Sequence, residues 1–322
     1  LTEWINEKGS GPDDFGWLPI GGNNASTAFK GSFDGNNKTI SGLWSQRRWD
    51  KIGLFGTVSG GSIKNLTVRV APGKSLIGNS NCETGIIAGI FDGTLSNCAA
   101  YGTVKSPQEG TGGLIGVFSG GEIKNSFVYI DNLNNANGQG GLVGKITNAA
   151  KITNCYVAGM LSGHQFIGGI VGYRQTGSAN LVGNVSALTS ISGTVGGGKR
   201  IVDNSWGAGT NILSDNLAWS GMAVNGAVIS SSDGASDHGK DISTSELHTQ
   251  STYEAIGWVF DNDNWAIWDG HSLPYFPQQT APAVLTGTLN AGVASFGGHY
   301  KQDDAEKVWV KIDDNPAQEA TL

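Results

Sequence analysis

The chain has 322 residues, 51 of them glycine, with 15% charged residues, 38% hydrophobic residues and a net charge of −7. Glycine at more than twice the usual ~7% without a Gly-X-Y period excludes collagen, and the apolar content excludes a disordered tail. No basic cluster exceeds Arg47-Arg48, which excludes a nucleic-acid footprint, and no apolar run nears the ~18 residues that span a bilayer, so neither nucleic-acid binding nor membrane insertion is expected.

In chain order, residues 1–50 carry Trp4, Trp17, Trp44 and Trp49 and read as an N-terminal cap and lead-in. Residues 51–227 then repeat. Pentads starting at Ile52, Thr84, Gly112, Gly140 and Gly168 hold Gly53, Gly85, Gly113, Gly141 and Gly169 at their second positions, spaced by 32, 28, 28 and 28 residues. A degenerate sixth copy is Arg200-Ile201-Val202. Each pentad is followed by an apolar-x-Asn: Ile63 and Asn65, Leu95 and Asn97, Ile123 and Asn125, Ile152 and Asn154, drifting to Leu181 with Asn184 and Leu213 with Asn216.

Several glycines per repeat, each opposing helix by about 1 kcal/mol, exclude helical repeats, and a propeller blade needs about 40 residues. One turn of a parallel β-helix fits the period. Stacked at about 4.8 Å, equivalent positions form columns: Leu54, Ile86, Leu114, Leu142, Ile170, Ile201 and, beside it, Phe55, Ile87, Ile115, Val143, Val171, Val202. The pattern leaves open which column faces inward; a corner at the flanking glycine buries both. Asn65, Asn97, Asn125 and Asn154 are expected to form an internal amide ladder at a bend. Cys98 and Cys155 share a column with Ser126 between them, about 9.6 Å apart and beyond the ~7 Å Cα limit of a disulfide, so free, buried thiols are expected.

Residues 228–280 read as a C-terminal cap. Trp206, Trp219, Trp258, Trp265 and Trp268 lie in the last coil or after it, none lies between Trp49 and Trp206, and large rings at both ends suit plugging an open core. Ser243 and Glu246 have the spacing of a helix capping box. Residues 281–322, with the alternation Lys307-Val308-Trp309-Val310-Lys311, read as a partial or small β-sandwich-like module.

The pentads, the lead-in at residues 29–43 and the exit at residues 253–276, with Gly257-Trp258, Trp265 and Pro274-Tyr275-Phe276, resemble the GLUG-motif repeat family of bacterial secreted and surface proteins, with residues 51–227 as GLUG-type coils. The resemblance covers residues 15–278 and departs from the pattern at Arg200-Ile201-Val202-Asp203, which lacks the glycine pair. It implies an extracellular or cell-surface location and an adhesin-type role, and it does not imply a catalytic residue. The expected fold is all-β: a right-handed parallel β-helix of about six coils with N- and C-terminal caps, plus a short C-terminal β segment.

Catalysis on such a fold needs paired carboxylates about 5–9.5 Å apart, in the same or adjacent columns. Asp92 aligns with Gly120 and Glu122 with Thr94, so no acidic pair is expected on the coils. Asp13-Asp14, Asp261-Asn262-Asp263 and Asp313-Asp314 read as solvated turns rather than calcium sites, and His164, His238, His248, His271 and His299 have no ligand spacing. Neither catalytic residue, metal nor cofactor is expected.

After each Asn the chain alternates. Leu66/Val68, Cys98/Ala100, Ser126/Val128 and Cys155/Val157 are placed inward, and Thr67/Arg69, Ala99/Tyr101, Phe127/Tyr129 and Tyr156/Ala158 outward. Arg69, Tyr101, Phe127, Tyr129 and Tyr156 therefore form a candidate ligand face, with an aromatic ladder that only supports strand pairing as the alternative. The function read from this is a non-enzymatic extracellular surface or adhesion module. It binds a host or matrix glycan or a surface protein, or it serves as a rigid spacer about 30 Å long; good caps favour a monomer. The alternative is a polysaccharide lyase or glycoside hydrolase on the same fold.

Overall fold

Parallel pairing between successive repeats organises the chain. The computed structural model describes residues 15–47, 51–78, 82–107, 109–134, 137–203, 207 and 209–278, and the strands Thr286–Asn290, Val293–Gly297, Val308–Val310 and Gln318–Ala320. Within it the coils form a β-solenoid of about six turns. The lead-in strand Ser32–Leu43 pairs in parallel with Phe55–Val70, which pairs with Ala88–Lys105. That strand pairs with Ile115–Lys124 and Phe127–Asn134. The ladder continues through Val143–Ile146, Ala150–Thr153 and Tyr156–Gly163, then Val171–Arg174, Ala179–Val182 and Val185–Gly193, to the short strands of the sixth coil. A narrower four-stranded ladder, Thr111–Gly112, Asn137–Gly140, Gln165–Gly168 and Gly198–Lys199, forms a further side of the coils.

The pentad explains why these coils stack. A Cβ on Gly141 would lie 2.2 Å from the Gly169 carbonyl oxygen, and one on Gly169 would lie 2.0 Å from that of Arg200. Only glycine lets the backbones approach so closely. Each such contact is with the next coil. Arg200 sits in the last coil, with no seventh pentad beyond it, and this is why the glycine pair can lapse there.

Both aliphatic columns are buried, because the chain turns a corner at the pentad. The register differs from the sequence alignment in one coil. Phe55 pairs with Ala88, and Ala88 with Ile115, so Ala88 and not Ile87 occupies that column. The second copy has slipped by one residue: Thr84 pairs with Thr111. Ile86 and Ile87 are buried all the same.

The Asn column is left-handed throughout, with φ of 54° at Asn65, 52° at Asn97, 46° at Asn125 and 54° at Asn154. The ladder was expected inside the coil, yet these side chains lie at the bend half-exposed. One rung survives, Asn97 Nδ2 donating to Asn65 Oδ1 at 3.4 Å. The register places Gly183 (φ 63°) and Asp215 (φ 55°) in this column in the last two coils, so Asn184 and Asn216 belong one residue further along. There they are fully buried and supply the internal amide ladder. Asn184 Oδ1 accepts from Cys155 N at 3.1 Å, and Asn216 Oδ1 accepts from Asn184 N and Nδ2, both at 3.1 Å. Ser126 Oγ does the same for Cys98 N at 3.1 Å. The bend leaves each of these backbone N–H groups for a side chain of the next coil to bond. Cys98 and Cys155 are free and buried, as the column predicted, and so is Cys82.

At the C-terminal end, Lys240–Ile242 pairs in parallel with Leu217–Trp219 and covers the edge of that strand. Arg200 is fully buried there, its Nη2 2.6 Å from Asp241 Oδ1. Of residues 281–322, two antiparallel ladders are described, Thr286–Asn290 with Val293–Gly297 and Val308–Val310 with Gln318–Ala320; the rest of the expected β module lies outside the described residues.

Replacing Asn125 by Ala forces an ordinary side chain to φ 46°, at a cost of about 1–2 kcal/mol, whereas Asn125→Gly keeps the conformation. The urea midpoint is expected to fall clearly further for Ala than for Gly; equal losses would sink the role assigned to this backbone position.

Candidate functional site

Backbone register fixes the candidate face. Thr67, Ala99, Phe127 and Tyr156 stack in one column, and Arg69, Tyr101, Tyr129 and Ala158 in the next. As alternation requires, Leu66, Val68, Cys98, Val128 and Val157 join the coil core. The outward residues form a second apolar cluster.

That second cluster is not open to solvent. The chain after the last coil turns back along the outer face as a strap. It begins at the helix Thr244–Leu247, where the predicted capping box is formed: Ser243 Oγ accepts from Glu246 N, and Glu246 Oε2 accepts from Ser243 N at 2.7 Å. After the helix Gln250–Glu254, Trp258, Trp265 and Phe276 lie over the aromatic column. Phe127 and Tyr156 stack with centroids 4.8 Å apart, and Trp265 lies within 6.0 Å of both. Trp258 and Trp265 stack at 4.5 Å.

Polar contacts lock the strap to the bend. Tyr156 Oη donates to Pro274 O at 2.8 Å, and Trp258 Nε1 donates to Gly183 O at 2.7 Å. Asn97, Asn125 and Asn154 donate through Nδ2 to Asp263 O, Asn264 Oδ1 and Gly257 O at 3.2, 2.9 and 3.2 Å. The strap thus takes most of the donors that the sequence assigned to an amide ladder.

Two expectations are corrected. Phe127 and Tyr156 are 0% and 1% exposed, so a surface ligand does not reach them. Trp258 and Trp265 do not plug a coil end; they cover the side. Trp17 and Trp219 do pack on the coil core, Trp44 and Trp268 lie outside both clusters, and Trp4, Trp49 and Trp206 lie outside the described residues. No sequence signal within the repeats could have shown the strap, because residues 253–276 have no counterpart there.

Arg69, Tyr101 and Tyr129 remain half-exposed. The Arg69 guanidinium lies 3.9 Å over the Tyr101 ring, which stacks on Tyr129 at 5.4 Å and 5°. Burial pushes the phenols of Tyr101, Tyr129 and, most of all, Tyr156 above their ordinary value. Burial likewise raises the Cys155 thiol and pushes the Cys98 thiol up to about 12.

A second cluster escaped the sequence alignment. Because Thr84 pairs with Thr111, Glu83 lies against Gly110 and Glu109 stands one residue away on the next coil. Their separation of 26 residues hides them from a 28-residue period. Each carboxylate is engaged: Glu83 with Lys51, and Glu109 with Lys145 at 3.7 Å and with the Tyr173 hydroxyl, which donates at 2.6 Å. Phe166 packs on Tyr173 at 5.5 Å from a left-handed backbone with φ 56°. Elsewhere Asp261 Oδ1 accepts from Asp263 N and Asn264 N at 2.8 Å each, closing a turn. Among the described residues, no group of three or more His, Cys, Asp or Glu is placed to hold a metal ion.

The architecture defines a β-solenoid with one strapped side. No protein-family model matches the chain. A stretch of 103 residues, 31% of the chain, is 40% identical to halomucin from Haloquadratum walsbyi, of whose length it spans 1%. The fold is similar to the crystal structure of a candidate immunoglobulin A1 protease from Bacteroides ovatus, with a TM-score of 0.61, 20% identity and 82% of each chain covered.

Trp265→Ala removes a ring buried between coils and strap and is expected to cost about 3–5 kcal/mol. Limited proteolysis should then cleave within residues 250–278 while the coils persist; unchanged protection would show that the strap does not depend on this ring. The raised thiols and phenols hold their protons more tightly in the folded chain than in the unfolded one. Their contribution to stability is complete below the unfolded values, about 9 for Cys and 10 for Tyr, and declines as pH rises above them. Denaturation midpoints are expected to fall from about pH 9 upward, with tyrosinate absorbance of the buried phenols appearing together with unfolding.

Proposed function

We propose that this chain is a non-enzymatic module of a secreted or surface-attached protein, a rigid stack that presents one side to a glycan or protein partner. The observation that carries the reading is the half-exposed run Arg69, Tyr101 and Tyr129, held on a scaffold whose neighbouring rings are clamped by the strap. Rigid aromatic groups with an adjacent guanidinium suit recognition at low entropic cost. The local likeness to halomucin and the fold shared with the candidate immunoglobulin A1 protease support an extracellular setting, since mucins and immunoglobulins are both extracellular. The pentads and the Asn column support membership of the GLUG-motif type.

A second reading, a polysaccharide lyase or hydrolase, is favoured by Glu83 and Glu109 on adjoining coils. Against it, both carboxylates are neutralised by lysines in the ground state, where a hydrolase needs one proton donor and one free carboxylate.

On a glycan and matrix-protein array the chain is expected to bind. Arg69→Ala should weaken that binding about tenfold, the loss of one charge-assisted contact, with the far-ultraviolet spectrum unchanged. Incubation with acidic and neutral polysaccharides should release no new chain ends. Turnover that disappears in Glu83→Gln or Glu109→Gln would overturn the non-enzymatic reading.

A further inference from the structure

We infer that the groove between the turn at residues 71–75 of the first coil and residues 102–105 of the second binds the acidic group of a carboxylated or sulfated polysaccharide. This deepens the proposed function and rests on its glycan-binding form.

The groove is built by a difference between two coils. The first coil leaves its strand at Val70 and makes a turn before rejoining at Leu76–Gly78, whereas the second runs on through Gly102 to Lys105 in one strand. Ala71-Pro72-Gly73-Lys74 has the residues of a type II turn, with proline at the second position and glycine at the third. Gly73 has φ 67°, and Lys74 N donates to Ala71 O at 3.0 Å. A further bond, Ala71 N to Leu43 O at 2.8 Å, ties the turn to the lead-in strand. The wall of the groove is therefore preorganised, and the open space beside it is about 380 Å³, within the range of small-ligand sites.

The charge of this space runs against that of the protein. The chain carries −7 overall, yet Lys74 and Lys105 line the groove and no carboxylate does. Both lysines are exposed, and Lys105 makes no ion pair among the described residues. Lys74 is held 5.1 Å over the Trp44 ring, which leaves its ammonium charge unneutralised. The hydroxyls of Ser75 and Thr103 complete the lining. Two exposed, unneutralised cations, hydroxyl groups and a sugar-sized open groove match an acidic pyranose better than an apolar ligand. Two lysines are too few for the counterion-releasing track of a nucleic acid.

The test is titration of the full chain with oligogalacturonate, dextran sulfate, neutral dextran and single-stranded DNA. At least one of the two acidic glycans should bind, and the one that does tells carboxylate from sulfate recognition. Dextran should not bind. Raising the salt should weaken the interaction. Lys74→Ala with Lys105→Ala should lower affinity at least about tenfold, and Thr103→Trp, which fills the space and keeps both charges, should lower it too, each with an unchanged far-ultraviolet spectrum. Full affinity in the double variant overturns the inference, as does DNA binding as strong as that of the acidic glycans. Neutral-glycan binding that survives the double variant sinks the groove and leaves the surface-module reading standing. If no glycan binds but a matrix protein does, the groove again falls and the module is a protein binder.

Discussion

The close approach of one coil's backbone to the next is the constraint on which the rest of this molecule depends. At the pentads a carbonyl oxygen stands where a Cβ would be, 2.2 Å from the ideal position at Gly141 and 2.0 Å at Gly169. Parallel pairing sets the spacing between coils, glycine permits it at the pentads, and the spacing fixes everything in register with it: the aliphatic columns, the left-handed bend, the inward thiols and amides and the outward rings. Each coil leaves its apolar face exposed until a neighbour covers it.

A nearest-neighbour stack of this kind can open one coil at a time. The strap changes that. It reaches Asn97, Asn125 and Asn154 in three successive coils and covers Phe127 and Tyr156 with Trp258, Trp265 and Phe276. Opening any of these coils also detaches part of the strap, so local unfolding there is coupled to loss of long-range contacts. The same clamp packs on Phe127 and Tyr156, whose rings meet Tyr101 and Tyr129 edge-on.

The architecture was legible because glycine, an aliphatic pair and Asn recur at a near-constant period, and each recurrence has one physical cause. Where the sequence misled, the cause was a one-residue slip or a partner outside the repeats. Asn184 and Asn216 were assigned to the bend because they are asparagines, although Gly183 and Asp215, equally at home in left-handed backbone, were the residues standing there. Glu83 and Glu109 were missed because the second coil is shifted. The outward rings were correctly oriented, but their cover lies far along the chain; Asn97 and Asp263 are separated by 166 residues. The groove at Lys74 and Lys105 was invisible for a related reason: it arises where two neighbouring coils differ, and a search for repeats attends to what they share.

Arg200 and the segment over it have a consequence for assembly. At the far end of the stack Ile201 N donates to Asp237 O at 2.9 Å and Lys240 N to Asn216 O at 2.8 Å, while the Arg200 guanidinium is folded in against Asp241. The outward edge of Leu217–Trp219, through which a second copy could extend this part of the spine, is occupied by the chain's own return. A naked solenoid terminus is a template for fibre growth, and along Leu217–Trp219 the chain's own return strand blunts it.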